Sequence, residues 1–463
     1  MSKILIVLVA LSLVADACSS DAIASNEPSS ATATFDVPTG EVVDFGPAPT
    51  VPEGDLSPET AAALETIFGN GVFPFPFSRE QEEALGTLGQ TDGDPRVAWI
   101  LMDMFRFSRD GEQVDRLLDG ASRLLGKRFI LRSAGGDVIN HLIAWDIPAP
   151  PGYLDVKRAI YSTVLPAWEP FFDPEGDVDW RYLSWGGVAI DSRPFDTTDD
   201  PCNCIPAADN PDVQSVSEAT WLADDDVIFG VVINGEARAY PRQIMEVREM
   251  VNDTLGDRDF AMPYCTLCGS AQVWFTDDVP DGVDRPILRT SGLLSRSNKV
   301  MFDLNTFSVF DTFLGTALTG PLHDLGVQLD QHAVVTSTWA DWIEAHPETT
   351  VLIEELALGR DPDFRNGRDA DGPIFPVGDV DPRLPVQEDI LGVVTDDGTP
   401  IAFHVESART ALDRGDVVEF DGVRLVLDGG LRALDADGNE LGTHQAFWFA
   451  WSQFYENTEL WPS

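Results

Sequence analysis

The run Val227-Ile228-Phe229-Gly230-Val231-Val232-Ile233, followed by Asn234-Gly235 and the return Glu236-Ala237-Arg238-Ala239-Tyr240-Pro241, leaves this chain few conformational choices. β-Branched and aromatic residues favour a pleated, half-buried strand, and Asn-Gly supplies the positive φ angles of a type I′ turn. The stretch predicts a β-hairpin. A similar cadence returns at Ile390–Val394, Thr395-Asp396-Asp397-Gly398 and Thr399–His404. In both places Gly-Val-Val precedes the turn, and the return strand ends in alanine and an aromatic residue. Short strands are expected again at Val417–Phe420, Val423–Leu427 and Leu431–Leu434. Residues 183–463 therefore read as a β-rich region with a degenerate internal duplication, its repeats at 220–300 and 385–455.

The preceding stretch has a different texture. Ser57-Pro58-Glu59-Thr60 pairs an N-cap with proline at the first helical position, and Ser78-Arg79-Glu80-Gln81 has capping-box spacing. After Asp110-Gly111, Val114, Leu117, Leu118, Ala121, Leu124 and Leu125 fall on one helical face. Further helices are expected over Asp137–Trp145 and Leu154–Trp168. Residues 55–175 thus form a helical domain whose apolar stripes are core, with His141 a packed histidine. The fold class expected for the whole chain is α+β, a helical N-terminal domain followed by the β-rich region.

The start of the chain indicates its compartment. Lys3 precedes the apolar run Ile4–Val14, which ends in small residues at Ala15-Asp16-Ala17-Cys18. This is an export-signal pattern over residues 1–17, too short for a membrane span of about 20 residues. Cys18 resembles the lipidated cysteine of a bacterial lipoprotein. Residues 18–54, rich in Ser, Ala, Thr and Pro, are expected to be a disordered tether. The chain is expected outside the cytoplasm as a membrane-anchored lipoprotein, with secretion or a periplasmic location as the alternative. Its formal net charge of −48 repels phosphate and anionic lipid, so nucleic acid is excluded as a partner and the membrane is met through the lipid anchor only. A protein or small-molecule partner is not specified by the sequence.

The best candidate for chemistry is Tyr264-Cys265-Thr266-Leu267-Cys268, between two strand-like segments. A C-x-x-C pair lets two sulfurs meet. As thiolates they would bind a soft metal, copper(I) or zinc. As a dithiol they would exchange with disulfides. As a structural pair they would only hold a turn. The leading reading is an exported soft-metal-binding protein, with the sequence leaving open whether it is an enzyme. The alternatives are a thiol–disulfide oxidoreductase and a non-catalytic structural or interaction lipoprotein. Cys202-Asn203-Cys204 supplies a second pair, and four thiolates would enclose one tetrahedral metal or form two disulfides. His323 is a further candidate ligand. Tyr264, Arg248 and Arg238 are candidate polar partners, and Arg289 and Arg296 also stand out in so acidic a chain. The Asp361–Asn366 and Asp435–Glu440 clusters do not follow the twelve-residue calcium loop and read as solvated turns. No Walker loop, G-x-S-x-G elbow or H-E-x-x-H helix is present in the sequence.

Several of these segments occur together in a fixed order. They are Gly235-Glu236-Ala237-Arg238-Ala239-Tyr240-Pro241, Glu249-Met250-Val251-Asn252-Asp253, Tyr264-Cys265-x-Leu267-Cys268-Gly269-Ser270, Ser291-Gly292-Leu293-Leu294-x-x-Ser297-Asn298-x-Val300-Met301-x-Asp303, Gly320-Pro321-Leu322, Trp339-Ala340-Asp341-Trp342 and Phe447-Trp448-Phe449-Ala450-Trp451. From about residue 183 to the end, the chain resembles the bacterial and archaeal domain-of-unknown-function family numbered 3179. The resemblance implies an exported protein and carries no established activity. It also implies a histidine where this chain has Arg248, and a tryptophan where it has Val309-Phe310-Asp311.

Overall fold

The computed structural model describes residues 35–74, 76–90, 93–129, 135–197, 202–354 and 372–462. Residues 1–17, Cys18 and the Asp361–Asn366 cluster lie outside the described residues. From Val37 onwards the chain forms one compact unit. Its described segment up to Gly54 has no helix or strand, yet the backbone N–H of Gly40 bonds the Pro382 carbonyl at 3.0 Å and Trp145 Nε1 donates to the Gly46 carbonyl at 2.9 Å. No helix among the described residues is long and apolar enough to cross a membrane.

The helical part comprises α1 (Pro58–Phe68), α2 (Arg79–Leu88), α3 (Ala98–Phe107), α4 (Gly111–Leu124), α5 (Gly135–Ala144) and α6 (Tyr153–Val164). Local chemistry sets the starts. Ser57 Oγ caps α1 by accepting from Thr60 N at 3.1 Å, and Ser78 and Gln81 close a reciprocal capping box on α2. Leu117, Leu118, Ala121 and Leu124 bury the predicted face of α4. His141 packs among Phe45, Phe129 and Trp145. The helical core continues into the strands that follow: Leu183, Leu293, Val300, Phe302 and Val309 belong to it, and Trp168 Nε1 donates to the Ser291 carbonyl at 2.7 Å.

The rest corrects the expected architecture. The strands form five sheets among the described residues, the blades of a five-bladed β-propeller. The first sheet orders Leu183–Trp185, Leu288–Ser295, Asn298–Asp303 and Val309–Asp311. The second is built on the hairpin Met250–Leu255 and Arg258–Cys265, flanked by Val273–Phe275, Gln331–His332 and Ala208–Asp209, with Ser270–Ala271 pairing beside Cys265. The third carries Val227–Ile233 and Glu236–Pro241, the fourth Asp389–Val394 and Pro400–His404, and the fifth Val418–Phe420, Val423–Leu427 and Leu431–Leu434.

The region is therefore not a duplicated pair. Residues 220–300 contribute strands to the first, second and third sheets, and 385–455 to the fourth and fifth. Likeness is confined to two single blades. In the third, Val335–Thr338 adds antiparallel and Thr350–Leu352 parallel to the hairpin; in the fourth, Thr443–Phe447 and Glu459–Trp461 do the same. The helix between the added strands presses a tryptophan onto a strand glycine, Trp342 on Gly230 and Trp451 on Gly392. Each indole N–H then donates to a threonine, Thr349 Oγ1 at 3.0 Å and Thr458 Oγ1 at 2.8 Å. The glycines are required sterically, because a Cβ on Gly230 would lie 2.2 Å from the Trp342 ring. Gly230→Ala should therefore destabilise the protein by about 1–3 kcal/mol through overpacking. Denaturant unfolding measures this, and an unchanged midpoint would contradict the packing described.

Candidate dithiol site

Cys265 ends the long strand of the second sheet, and the chain reverses at once. Cys268 N bonds the Cys265 carbonyl at 3.1 Å, and Cys265 pairs with Ser270. The pair thus sits in a tight turn between strands and not at a helix N-terminus. Gly269 permits the turn with φ +61°, and the Phe447 ring covers it. The backbone N–H of Phe447 donates to the Cys268 carbonyl at 2.8 Å.

Both thiols are free and buried, with their sulfurs 3.0 Å apart. A second turn faces them. Arg296 and Ser297, with φ of 47° and 71°, join two strands of the first sheet. They bring the Ser297 carbonyl to 3.9 Å from Cys265 Sγ and 3.6 Å from Cys268 Sγ, and Asn298 Oδ1 to 3.5 Å from Cys268 Sγ. The next residue, Lys299, offers its backbone N–H to Cys265. Its ammonium is 3.2 Å from Glu249 Oε2 and also donates to the Glu249 carbonyl. Glu249 is held with φ 52° at the end of the helix Arg242–Arg248. Its carbonyl receives Tyr264 N at 3.0 Å, and its carboxylate receives Thr266 Oγ1 at 3.3 Å.

These contacts separate the two thiols. Burial pushes Cys265 up, but the hydrogen bond from Cys268, the Lys299 N–H and the Lys299 charge outweigh it and hold Cys265 below its ordinary value. Burial pushes Cys268 well up, reinforced by its bond to Cys265 and by the charges of Cys265, Glu249 and Asp311. The two sulfurs are thus displaced in opposite directions, Cys265 towards the thiolate and Cys268 towards the thiol. Cys265 opens onto a cavity of about 280 Å³, lined by Val188, Ile205, Leu293, Leu294, Ile374 and Phe375 with Glu249, Thr266 and Lys299 at its polar end.

The other expected site residues lie elsewhere. Cys202 and Cys204 are disulfide-bonded to each other, so the four sulfurs do not form one thiolate set. Asp191 approaches that disulfide, but its carboxylate binds Arg193 and Ala207 N. Arg248 is buried and paired with Glu354, and it does not line the cavity. Arg238 binds Asp253 at 2.6 Å, and Tyr264 packs on Phe229. His323 pairs with Asp177 at 3.2 Å and does not line the cavity. Arg289 is buried on Asp209, and Arg296 stacks over Tyr182. No third Cys, His, Asp or Glu among the described residues joins Cys265 and Cys268 in a ligand cluster. Glu388, His404 and Glu406 do cluster, but His404 bonds Glu388 at 2.8 Å and Ser407 at 2.7 Å, which satisfies both ring nitrogens without an ion. Asp435 closes a turn by accepting from the backbone of Asp437 and Asn439. Glu249, Asn298 and Lys299 were not singled out by motif chemistry, although they lie in or beside segments that carry the family resemblance.

The fold and site define a β-propeller protein with a buried dithiol at one cavity. Residues 202–421 match the model of the family described as a protein of unknown function, DUF3179, the same family that the sequence motifs resemble. Nothing among curated proteins or solved structures matches the chain.

Two predictions follow from the electrostatics. Lys299→Gln should slow iodoacetamide alkylation of Cys265 at neutral pH on the order of tenfold, with rescue by Lys299→Arg; equal rates in all three proteins would show that the charge does not act on the thiol. The second concerns His444, whose ring meets Phe313 edge to face and whose pKa burial lowers from 6.5 to about 3. The unfolded chain takes up that proton near 6.5, so the stability owed to neutral His444 is full above that pH and is lost as pH falls towards 3. Burial raises Asp311 from 3.8 to about 6, with the opposite sign: its contribution is present below 3.8 and lost as pH rises through 6. In Tm measured against pH, His444→Gln should flatten the acid limb and Asp311→Asn the decline above pH 4. Profiles parallel to wild type would refute both assignments.

Proposed function

We propose that this is an exported protein whose Cys265–Cys268 pair exchanges thiol for disulfide with a small molecule in the adjoining cavity. The observation that carries the reading is the 3.0 Å sulfur separation in a turn that holds Cys265 towards thiolate and Cys268 as thiol. In the exchange, Cys265 thiolate attacks one sulfur of R–S–S–R. A Cys265–S–SR bond forms, and RS⁻ leaves with the electron pair and takes a proton. Cys268 then loses its proton and attacks Cys265 Sγ, which closes the internal disulfide and releases the second thiol. The protein dithiol is oxidised by two electrons, and the substrate disulfide is reduced to two RSH. The reverse sequence oxidises a substrate dithiol.

Binding of copper(I) or zinc by the same pair is the competing reading. Two sulfurs about 2.3 Å from a tetrahedral zinc stand about 3.8 Å apart, wider than this turn holds them. The Cys202–Cys204 disulfide also withholds the second pair.

The test uses the full chain carrying Cys18→Ser as the wild-type background, with the Cys202–Cys204 disulfide intact and Cys265 and Cys268 as thiols, mixed with 2-hydroxyethyl disulfide and followed by mass spectrometry. Wild type should release two equivalents of thiol and gain a Cys265–Cys268 disulfide. Cys268→Ser should stop at the mixed disulfide, and Cys265→Ser should not react. A wild type that keeps both thiols overturns the proposal. Copper or zinc retained by wild type and lost by Cys265→Ser/Cys268→Ser would replace it with the metal reading.

A further inference from the structure

The cavity is not closed by the propeller alone. Ile374 and Phe375 form part of the wall around Cys265, and Ile374 is 49% exposed, which places it at the mouth. These residues belong to a segment without helix or strand, and the helical region holds it from outside. Asn140 Oδ1, on α5, accepts from Val377 N at 2.8 Å and Gly378 N at 2.9 Å. Gly378 lies so close to Ile143 of the same helix that a Cβ would meet it at 2.3 Å. Arg106, on α3, sets its guanidinium 4.9 Å from the Phe375 ring centroid while Nε donates to the Trp185 carbonyl at 2.8 Å. On the other side Gln453 Nε2 donates to the Val377 carbonyl, and Gly372 N bonds Gln387 Oε1 at 2.7 Å. The strap is thus pinned at several points, with its two apolar side chains turned to the cavity.

From this arrangement, which rests on the dithiol reading above, we propose that Ile374 and Phe375 are the specificity-determining wall of the dithiol cavity, positioned by Asn140 and Arg106 of the helical region. They limit the reactant at Cys265 to a small, largely apolar disulfide or thiol and exclude a folded protein partner. A cavity of about 280 Å³ with apolar walls fits such a molecule. The helical region then has a function at the site: it holds the wall that the propeller lacks. Asn140 and Arg106 act through the strap and are positioning residues.

Size-selective alkylation tests this. Reduced wild type, Phe375→Ala and Asn140→Ala are labelled with iodoacetamide and with fluorescein maleimide, and the rate at Cys265 is read from its peptide by mass spectrometry. Thermal unfolding checks that each variant is folded, and Phe375→Leu serves as a conservative variant should Phe375→Ala fail to fold. The ratio of the bulky to the small reagent's rate should rise at least tenfold in Phe375→Ala and severalfold in Asn140→Ala. An unchanged ratio in folded variants overturns the wall while leaving dithiol exchange intact if wild type still reduces 2-hydroxyethyl disulfide. A Cys265 inert to iodoacetamide in every protein overturns the dithiol reading and the wall together.

Discussion

The site depends on a buried ion network that fixes two blades against each other. Arg289, fully buried on the first sheet, binds Asp209 at the edge of the second, with Nη1 2.5 Å from Oδ1. Its Nε stands 3.6 Å from Asp191, which also receives Arg193. Asn252, on the second sheet, donates to Asp209 at 2.9 Å and exchanges hydrogen bonds with the backbone N–H and carbonyl of Leu288 on the first. Charges removed from water cost several kcal/mol per ion, so a network like this is poor support for stability as such. Its consequence here is geometric. The C-x-x-C turn comes from the second sheet and the Arg296–Ser297 turn from the first, and the contacts of Ser297 and Lys299 with Cys265 require that they meet.

In the proposed exchange, the turn does for Cys265 what a helix N-terminus does for reactive cysteines. A helix offers a thiolate its dipole and free N–H groups. This turn offers the Lys299 N–H, a neighbouring thiol and a buried ammonium, against the cost of full burial. Glu249 works in the other direction, raising Cys265, while it also neutralises Lys299. The ion pair makes a buried ammonium tolerable beside the sulfur, and it weakens the field that the sulfur feels.

Much of the local structure was legible in the sequence. The Ser57 cap, the Ser78 capping box and the Val227–Pro241 hairpin are written in residues that touch one another along the chain. The five-bladed arrangement was not, because the hairpins of the third and fourth sheets acquire their outer strands from distant segments: Val227–Ile233 pairs with Val335–Thr338, and Asp389–Val394 with Thr443–Phe447. A repeat judged from the hairpins misses the tryptophan helices that complete those two blades. The cysteine pair itself was legible, and its partners were not. Glu249 and Lys299 have no motif of their own, and only the pairing of Leu294 with Lys299 across a two-residue turn brings Lys299 beside Cys265. Arg248 attracted attention as the odd residue of its segment, yet its charge is committed to Glu354.

The acidity of the chain bears on the cavity as well as on the surface. A net charge of −48 imposes a negative potential that opposes thiolate formation and disfavours anionic reactants near the mouth. Cys265 is held below its ordinary value by Cys268 and by the N–H and charge of Lys299, against burial and Glu249. Among the described residues the cavity mouth has no equivalent compensation: Ile374 and Phe375 present hydrocarbon, and the nearby Arg106 is occupied by Phe375 and the Trp185 carbonyl. For the proposed exchange, long-range charge and apolar lining act in the same direction, against anionic disulfides and towards small uncharged ones. That selection is separable from the reactivity of Cys265, because the strap that sets it is pinned by α3 and α5, whereas the donors that set the thiol belong to the two turns.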